Sequence, residues 1–503
     1  MMSRPQRSRG ARRSADPEGA GAVAPSPGDR MLRLVPAAIV AYFALNAVLR
    51  ATTPGGLGLD EAQIMVHAQS LEWGYGLQPP LYAWLQRGAF ALLGEGKLAL
   101  AVVKNALLAT ALLAVWATAR AVGASRAVAA VATLALFLVP GIAWEAQRAL
   151  THTPLALAAG AVALAVFAHA RRRDRTPGHL ALGLVLGMGL LSKWNTVFVA
   201  AGILGATLAR RPRRWRGALL ALLVALAVVA PTGAWYLADW GEAEDAVAEI
   251  ELADRAPLAT LPTALAALGE GVAATLGLVA VAFGALLVRR PQPPAPTSVD
   301  PRRRGDLTAA VALAVAAVGL AVLASGATEV KERWLTPVLF AVPLTVVLWV
   351  PERVTARRAA GFGGVAAVIA VAVSAGLQWN WRLGDGEPPP QTTPFAAIAA
   401  ELADGPAVVL AADDWIGGNL LLRAPELAVL TPATSALRLD VAPPAQLVWR
   451  AEHGPTPPET LVALYRERFG HAPRPGVVER VAAPFPPPHD DATPFALMRA
   501  VAR

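Results

Sequence analysis

Long apolar runs separated by short polar segments dominate the pattern of the chain. Runs of about 20 apolar residues are typical of helices that span a bilayer. The pattern therefore predicts a mainly α, polytopic membrane protein with about eleven transmembrane helices. The predicted spans are residues 34–49, 98–119, 127–146, 154–170, 179–192, 194–209, 217–236, 261–288, 307–325, 335–350 and 360–378.

The apolar stretch over residues 179–209 needs separate treatment because arginines flank it on both sides. It is too long for one comfortable span, and both flanks belong on the same side of the membrane. We therefore predict a hairpin of two short helices, with its turn at Leu191-Ser192-Lys193-Trp194-Asn195 facing outward.

Arginines mark the side of the membrane on which each loop lies. With a cytoplasmic amino terminus, 26 of the Lys and Arg residues before residue 379 fall in cytoplasmic segments and nine fall elsewhere. This asymmetry is the positive-inside pattern of inner (plasma) membrane proteins. Residues 1–33 carry seven arginines among Pro, Ser and Gly. They predict a disordered cytoplasmic tail before a signal anchor.

An odd number of spans places the carboxyl terminus outside, so residues 379–503 would form a periplasmic domain after the transmembrane domain of residues 34–378. Short apolar runs and one amphipathic stretch predict a small α/β unit. These segments are Ala407 to Ala411, Leu427 to Leu430, Pro458 to Phe469 and Phe495 to Val501.

Composition supports the membrane class. The chain of 503 residues is 55% apolar and only 16% charged, with a mean hydropathy of +0.46. A net charge of +9 would suit nucleic-acid binding, but its clustering between apolar runs favours the membrane explanation. The absence of cysteine excludes disulfides, thiolate metal sites and cysteine nucleophiles.

The first outer loop, residues 51–97, carries the clearest candidate chemistry, the acidic pair Asp60 and Glu61. Such a pair can act as a general base on a hydroxyl or bind a divalent cation, with His152 as a further ligand. A solvated first turn of a helix, where carboxylates favour the dipole, explains the pair equally well. Residues 81–93 follow Gln78-Pro79-Pro80 and predict a helix lying in the membrane interface.

Three further outer segments carry cations. Arg148 and His152 are four residues apart, so a helical turn would place them on one face. Lys193 lies at the hairpin tip, where a phosphate is its natural partner and a lipid headgroup is the alternative. Glu332 and Arg333 belong to the last relevant loop, either as site residues or as a solvated charge run. An acid and three cations on one membrane face suit transfer from a lipid-linked phosphate.

Several of these segments resemble glycosyltransferase family 39, which includes the protein mannosyltransferases and the lipid A aminoarabinose transferase. The matching residues are Asp60-Glu61-Ala62 with Trp73-Gly74-Tyr75, Gln78-Pro79-Pro80-Leu81 and Trp84-Leu85, then Gly189-Leu190-Leu191-Ser192-Lys193, and Arg333-Trp334-Leu335-Thr336-Pro337. The resemblance covers roughly residues 34–350. It implies the fold of the C-type membrane glycosyltransferases.

The resemblance also implies a reaction: a sugar moves from a polyprenyl-phosphate donor to a periplasmic lipid, glycan or protein, with inversion. Asp60 matches the family's catalytic acid, Glu61 its neighbour, and Lys193 a residue near the donor phosphate. One departure is that His152 stands where many relatives carry an aspartate.

We accordingly expect a membrane glycosyltransferase with Asp60 and Glu61 as catalytic residues and no nucleic-acid partner. The expected phosphate contacts are Lys193, Arg148 and Arg333, and the expected further substrate contacts are Tyr75, Gln78, Tyr82, His152 and Glu332. A transporter or flippase of an envelope substrate is the alternative, although transporters place ionisable groups near the midplane. The His152 departure also leaves a catalytically inactive scaffold open.

Overall fold

A computed structural model describes most of the chain. The described residues are 27–76, 78–173, 175–210, 215–238, 257–288, 299–327, 329–384, 388–487, 489 and 492–502. The basic tail expected over residues 1–33 lies outside this part, apart from its end, where helix α1 covers Pro27–Leu32. Parts of the arginine clusters that are predicted to be cytoplasmic, at residues 211–214 and 289–298, also lie outside it.

Each of the eleven predicted spans is helical in the described part of the chain. The helices up to the hairpin tip are α2 (Val35–Ala51), α3 (Leu59–His67), α4 (Leu81–Leu93), α5 (Lys97–Ala121), α6 (Arg126–Leu134), α7 (Ala146–Arg148), α8 (His152–Arg173) and α9 (Thr176–Leu190). Those after it are α10 (Val197–Arg210), α11 (Trp215–Ala238), α12 (Pro257–Leu287), α13 (Pro301–Ser325), α14 (Glu332–Leu339), α15 (Val342–Trp349) and α16 (Ala356–Leu383).

Seven stretches are by themselves long and apolar enough to cross a membrane, and an eighth consists of two helical pieces bent by 73° between Leu138 and Gly141. Shorter apolar helices α2 and α9 complete most of the predicted set. The prediction of a mainly α, polytopic fold is therefore confirmed. The orientation of the termini remains a prediction from the arginine pattern.

Two helices lie where the hairpin was predicted, and their antiparallel arrangement and outward-facing turn stay a prediction. Helices α9 and α10 are separated by a break at Leu191–Lys193 and one 3₁₀ turn at Trp194–Thr196. Small residues allow close packing of α9 on α11, since a Cβ at Gly183 or Gly187 would collide with Ala221 or Val228. The tip is anchored because the Asn195 side chain donates to the Trp334 carbonyl at 2.8 Å.

The chain after α16 forms a small α/β domain, called here the C-terminal domain. Its five strands pair in the order β2-β1-β3-β5-β4. The elements are α17 (Phe395–Leu402), β1 (Val408–Ala411), α18 (Asp414–Arg423), β2 (Ala428–Leu430), β3 (Ala445–Arg450), α19 (Glu459–Phe469), β4 (Pro475–Ala483) and β5 (Phe495–Ala502). The α/β prediction is confirmed, with β3 and β4 as strands that the sequence did not indicate.

Two hydrophobic cores hold the molecule together. One lies among the membrane helices. The other is continuous from the outer loop into the C-terminal domain, and joins residues such as Leu57 and Ile64 to Phe395 and Ile416. The outer loop and the C-terminal domain therefore form one packed unit, which positions the candidate site.

Candidate active site

A cavity of about 790 Å³ opens beside the first turn of α3. Four of the expected site residues line it, and they come from three separate segments: Asp60, Arg148, Glu332 and Arg333. Gln391 from the start of the C-terminal domain and Trp381 from the end of α16 also contribute to its wall. Loops far apart in sequence thus converge on one space large enough for a sugar.

Asp60 is half-buried in the first turn of α3. Gly58, in an extended conformation, is the N-cap residue of this helix. Burial raises the pKa of its carboxyl, and the charges of Lys104, Arg333 and Lys193 partly oppose that rise. A carboxylate with an elevated pKa beside a cavity is suited to accepting a proton from a hydroxyl.

Glu61 has a different environment from its neighbour. It is buried and forms ion pairs with Arg50 and, at 3.3 Å, with Lys104. Burial alone would raise the pKa of Glu61, but the charges of Arg50 and Lys104 outweigh it and lower the pKa to about 2. Glu61 is absent from the described cavity wall. The geometry favours a structural position for Glu61, and its expected catalytic role stays a prediction that this geometry does not favour.

Lys193 extends from the break between α9 and α10 toward the first turn of α14, which carries Arg333. Its ammonium donates to the Thr153 hydroxyl at 2.9 Å and to the Arg333 carbonyl at 3.4 Å. Burial and the nearby charge of Arg333 lower the pKa of Lys193 to about 8, against the opposing effect of Asp60. Arg333 lines the same cavity as Asp60, whereas Lys193 lies beside Arg333 and is not among the described residues of the cavity wall. The role of Lys193 at a donor phosphate stays a prediction.

The single helical face expected for Arg148 and His152 is wrong. Helix α7 ends at Arg148 and α8 begins at His152, so the chain bends between them. Arg148 is exposed on the cavity wall and pairs with Glu145 at 2.9 Å. The break turns His152 into the protein interior, where its ring centroid lies 5.3 Å from that of Tyr82.

The remaining expected substrate contacts do not line the described cavity. Tyr75 is buried, stacks on His67 and donates to the Ser70 carbonyl at 2.7 Å. Gln78 pairs with Tyr75 through two backbone hydrogen bonds, and Tyr82 is almost fully buried. Tyr75 and Tyr82 help to build the fold of the outer loop because their side chains pack inward. Their roles as substrate contacts stay a prediction that this geometry does not favour.

The sequence reading missed several residues of the site. Lys104 lies within the apolar helix α5, and its place in an apolar run is itself a signal of a functional or paired charge. Trp381 and Gln391 on the cavity wall, and Arg50 beside Glu61, gave no comparable signal, because their positions depend on contacts between separate segments. Among the residues that the structure describes, no three His, Asp or Glu side chains are grouped to hold a metal ion.

The fold defines a class of protein. The chain is similar to the crystal structure of ArnT from Cupriavidus metallidurans bound to undecaprenyl phosphate, with a TM-score of 0.58 over 92% of this chain and 97% of that one. The sequence identity is 14%. This similarity establishes the fold as that of a C-type membrane glycosyltransferase, as the sequence predicted.

Sequence comparison identifies the family. The family model described as dolichyl-phosphate-mannose-protein mannosyltransferase matches residues 77–235. The lipopolysaccharide core galacturonosyltransferase RgtA of Rhizobium johnstonii is 32% identical over 459 residues, covering 86% of this chain and 89% of RgtA. RgtB of the same organism is 30% identical over 461 residues, covering 88% and 93%. The chain belongs to glycosyltransferase family 39. The prediction of an enzyme, against the transporter alternative, is confirmed.

Proposed function

We propose that this glycosyltransferase moves a sugar from a polyprenyl-phosphate donor to an acceptor hydroxyl outside the cytoplasm. The observation that carries the proposal is that Asp60 and Arg333, from two separate segments, line one cavity, and that Lys193 contacts the Arg333 carbonyl at 3.4 Å. Such a transfer needs a carboxylate that accepts a proton and cations that stabilise the departing phosphate, and both kinds of group are present here.

In the proposed reaction the Asp60 carboxylate takes the proton of the acceptor hydroxyl. The acceptor oxygen then forms a bond to the anomeric carbon while the bond from that carbon to the phosphate oxygen breaks. Attack opposite the leaving group inverts the anomeric carbon. Lys193 and Arg333 stabilise the negative charge that develops on the departing polyprenyl phosphate, because charged hydrogen bonds to phosphate strengthen as the charge grows.

The relatives indicate which substrates to try first. RgtA and RgtB are named as lipopolysaccharide core galacturonosyltransferases, and the structurally similar ArnT is bound to undecaprenyl phosphate. We propose a polyprenyl-phosphate galacturonic acid as the first donor and lipopolysaccharide core as the first acceptor. Arg148, which is exposed on the cavity wall, is the proposed additional contact for a negatively charged group.

The test is product formation by the purified protein in lipid nanodiscs, from labelled polyprenyl-phosphate sugar and core acceptor. We expect transfer by the wild type and none by Asp60→Asn, which removes the proton acceptor without changing the size of the side chain. Product from Asp60→Asn at the wild-type rate would exclude Asp60 as the base. No product with any donor or acceptor would favour the inactive scaffold.

Two variants of Lys193 test the phosphate contact. Lys193→Ala should weaken donor binding by about tenfold to a hundredfold, the usual effect of losing one charged hydrogen bond, while the affinity for the acceptor changes little. Lys193→Arg keeps the charge and should retain most of the affinity. Equal donor affinity in wild type and Lys193→Ala would overturn the assignment.

A further inference from the structure

The segment that leads into Asp60 makes many of its polar contacts with the C-terminal domain. The Gly55 carbonyl accepts a hydrogen bond from the Arg423 guanidinium at 2.6 Å. The Gly56 amide donates to the Gln391 carbonyl at 2.5 Å. Gly55 has a φ of 81°, and a Cβ there would collide with Gln391. The C-terminal domain therefore contacts the backbone immediately before α3.

The backbone of Leu57, three residues before Asp60, forms three hydrogen bonds with side chains of α18. Its amide donates to Asn419 Oδ1 at 2.7 Å, and its carbonyl accepts from Asn419 Nδ2 at 3.3 Å. The Trp415 indole donates to the same carbonyl at 3.0 Å. Asn419 is fully buried and its amide also donates to the Trp415 carbonyl at 2.9 Å. One side chain thus fixes both polar groups of the Leu57 backbone to α18.

Helix α3 itself packs on the same element. A Cβ at Gly418 would collide with the Ala62 backbone, so the two helices approach as closely as a glycine permits. The Gln63 side chain donates to Asp414 at 3.1 Å. Contacts with α18 at Gly418 and Asp414 thereby fix the position of α3, and with it that of the Asp60 carboxylate.

We propose that the C-terminal domain positions the catalytic carboxylate, and that Asn419 is its principal positioning residue. The proposal rests on the proposed role of Asp60 as the base. Asn419 acts through the Leu57 backbone. Its loss should misplace Asp60 while the donor phosphate contacts, which come from the hairpin and the α14 loop, remain. Positional errors of about 1 Å are enough to reduce rates a hundredfold.

The test compares Asn419→Leu with Gln446→Leu in the full-length protein. Gln446 is a matched control because it is also a fully buried amide of the C-terminal domain and donates two hydrogen bonds, to the Leu402 and Pro406 carbonyls. Both variants lose buried hydrogen bonds, but only Asn419→Leu changes contacts with the segment before Asp60. We expect kcat to fall about tenfold to a hundredfold in Asn419→Leu with the donor KM nearly unchanged. Gln446→Leu should keep kcat within about twofold of wild type.

Two further measurements keep the proposal falsifiable if Asn419→Leu does not fold. Arg423→Ala removes only an exposed side chain that donates to Gly55, and should lower kcat about threefold to tenfold at constant donor KM. Because the chain has no cysteine, Asp60→Cys provides a unique thiol at the site. The rate of its reaction with a small maleimide should change when Asn419→Leu or Arg423→Ala is added, and stay constant with Gln446→Leu.

The outcomes separate this proposal from the proposed function. If Asp60→Asn retains activity, the assignment of the base fails. If Asp60→Asn is inactive, the assignment stands and the positioning role is judged separately. Equal kcat losses in Asn419→Leu and Gln446→Leu, or wild-type kcat and thiol reactivity with Arg423→Ala, overturn the positioning role alone.

Discussion

Asp60 and Glu61 are neighbours in the chain, yet the fold gives their carboxylates opposite properties. Asp60 lies at the cavity with an elevated pKa, whereas Glu61 turns inward to Arg50 and Lys104 and stays ionised. Consecutive residues of a helix point about 100° apart, so one turn can supply a reactive acid and a structural one. The sequence identified the pair but could not assign the two roles.

The pKa of Asp60 is raised and that of Lys193 is lowered, and together these shifts predict a bell-shaped dependence of kcat/KM on pH. Activity should rise with pH through the pKa of Asp60, which lies above its usual value of 3.8, because the base must be ionised. It should fall as pH increases through about 8, where Lys193 loses its proton and its attraction for phosphate. Initial rates at low donor concentration across pH measure both limbs.

Lys193→Arg provides the control for the alkaline limb. Because arginine stays charged throughout the accessible range, the fall near pH 8 should move to higher pH while the acid limb stays in place. An unchanged alkaline limb in this variant would assign the fall to another group.

Glu61→Gln tests the structural role of the buried carboxylate. The variant leaves Arg50 and Lys104 buried without their counter-charge, and breaking such a pair typically costs about 3–5 kcal/mol. We expect a marked fall in the thermal unfolding midpoint in detergent. Glu145→Gln, which breaks the exposed pair with Arg148, is the comparison and should cost about 0–1 kcal/mol. Similar midpoints for the two variants would contradict the assignment.

At the level of elements, the hairpin of α9 and α10 illustrates how far a sequence pattern reaches. An apolar stretch with arginines at both ends predicted two short helices and the position of the break between them. The contacts of that turn with Thr153, Arg333 and Trp334 required the packing of α9 against α8 and α11. Those contacts bring Lys193 to the site.

Gly183→Ala tests the close packing that positions this hairpin. The added methyl group would meet the backbone of Ala221 on α11, so the helices must separate and we expect a lower unfolding midpoint. Gly284→Ala is the matched control because a Cβ there meets nothing within 4 Å. Alanine is the better helix former by about 1 kcal/mol, so the control should be neutral or stabilising. A stabilised Gly183→Ala variant would show that the helices are not in contact there.

For the whole molecule, the arginine pattern predicts which side of the membrane each end of the fold occupies. Cysteine accessibility tests it directly, because the wild-type chain has no cysteine. Glu452→Cys in the C-terminal domain and Lys331→Cys near the cavity should react with an impermeant maleimide added outside intact spheroplasts. Arg357→Cys, at the start of α16, should react only after the membrane is opened. Labelling of Glu452→Cys and Arg357→Cys from the same side would overturn the topology.

The sequence alone determined the membrane class, most of the membrane helices, the α/β nature of the tail and the family, because hydrophobic periodicity and motif spacing are local along the chain. It also predicted that Asp60 and Arg333 lie close together, and both line the cavity. The tertiary structure decided which acid faces the cavity and that His152 points inward. It also decided that side chains of α18 form hydrogen bonds with the backbone before Asp60. All three features depend on packing between separate segments, and the last joins residues more than 300 positions apart, such as Leu57 and Asn419. No local pattern encodes such contacts.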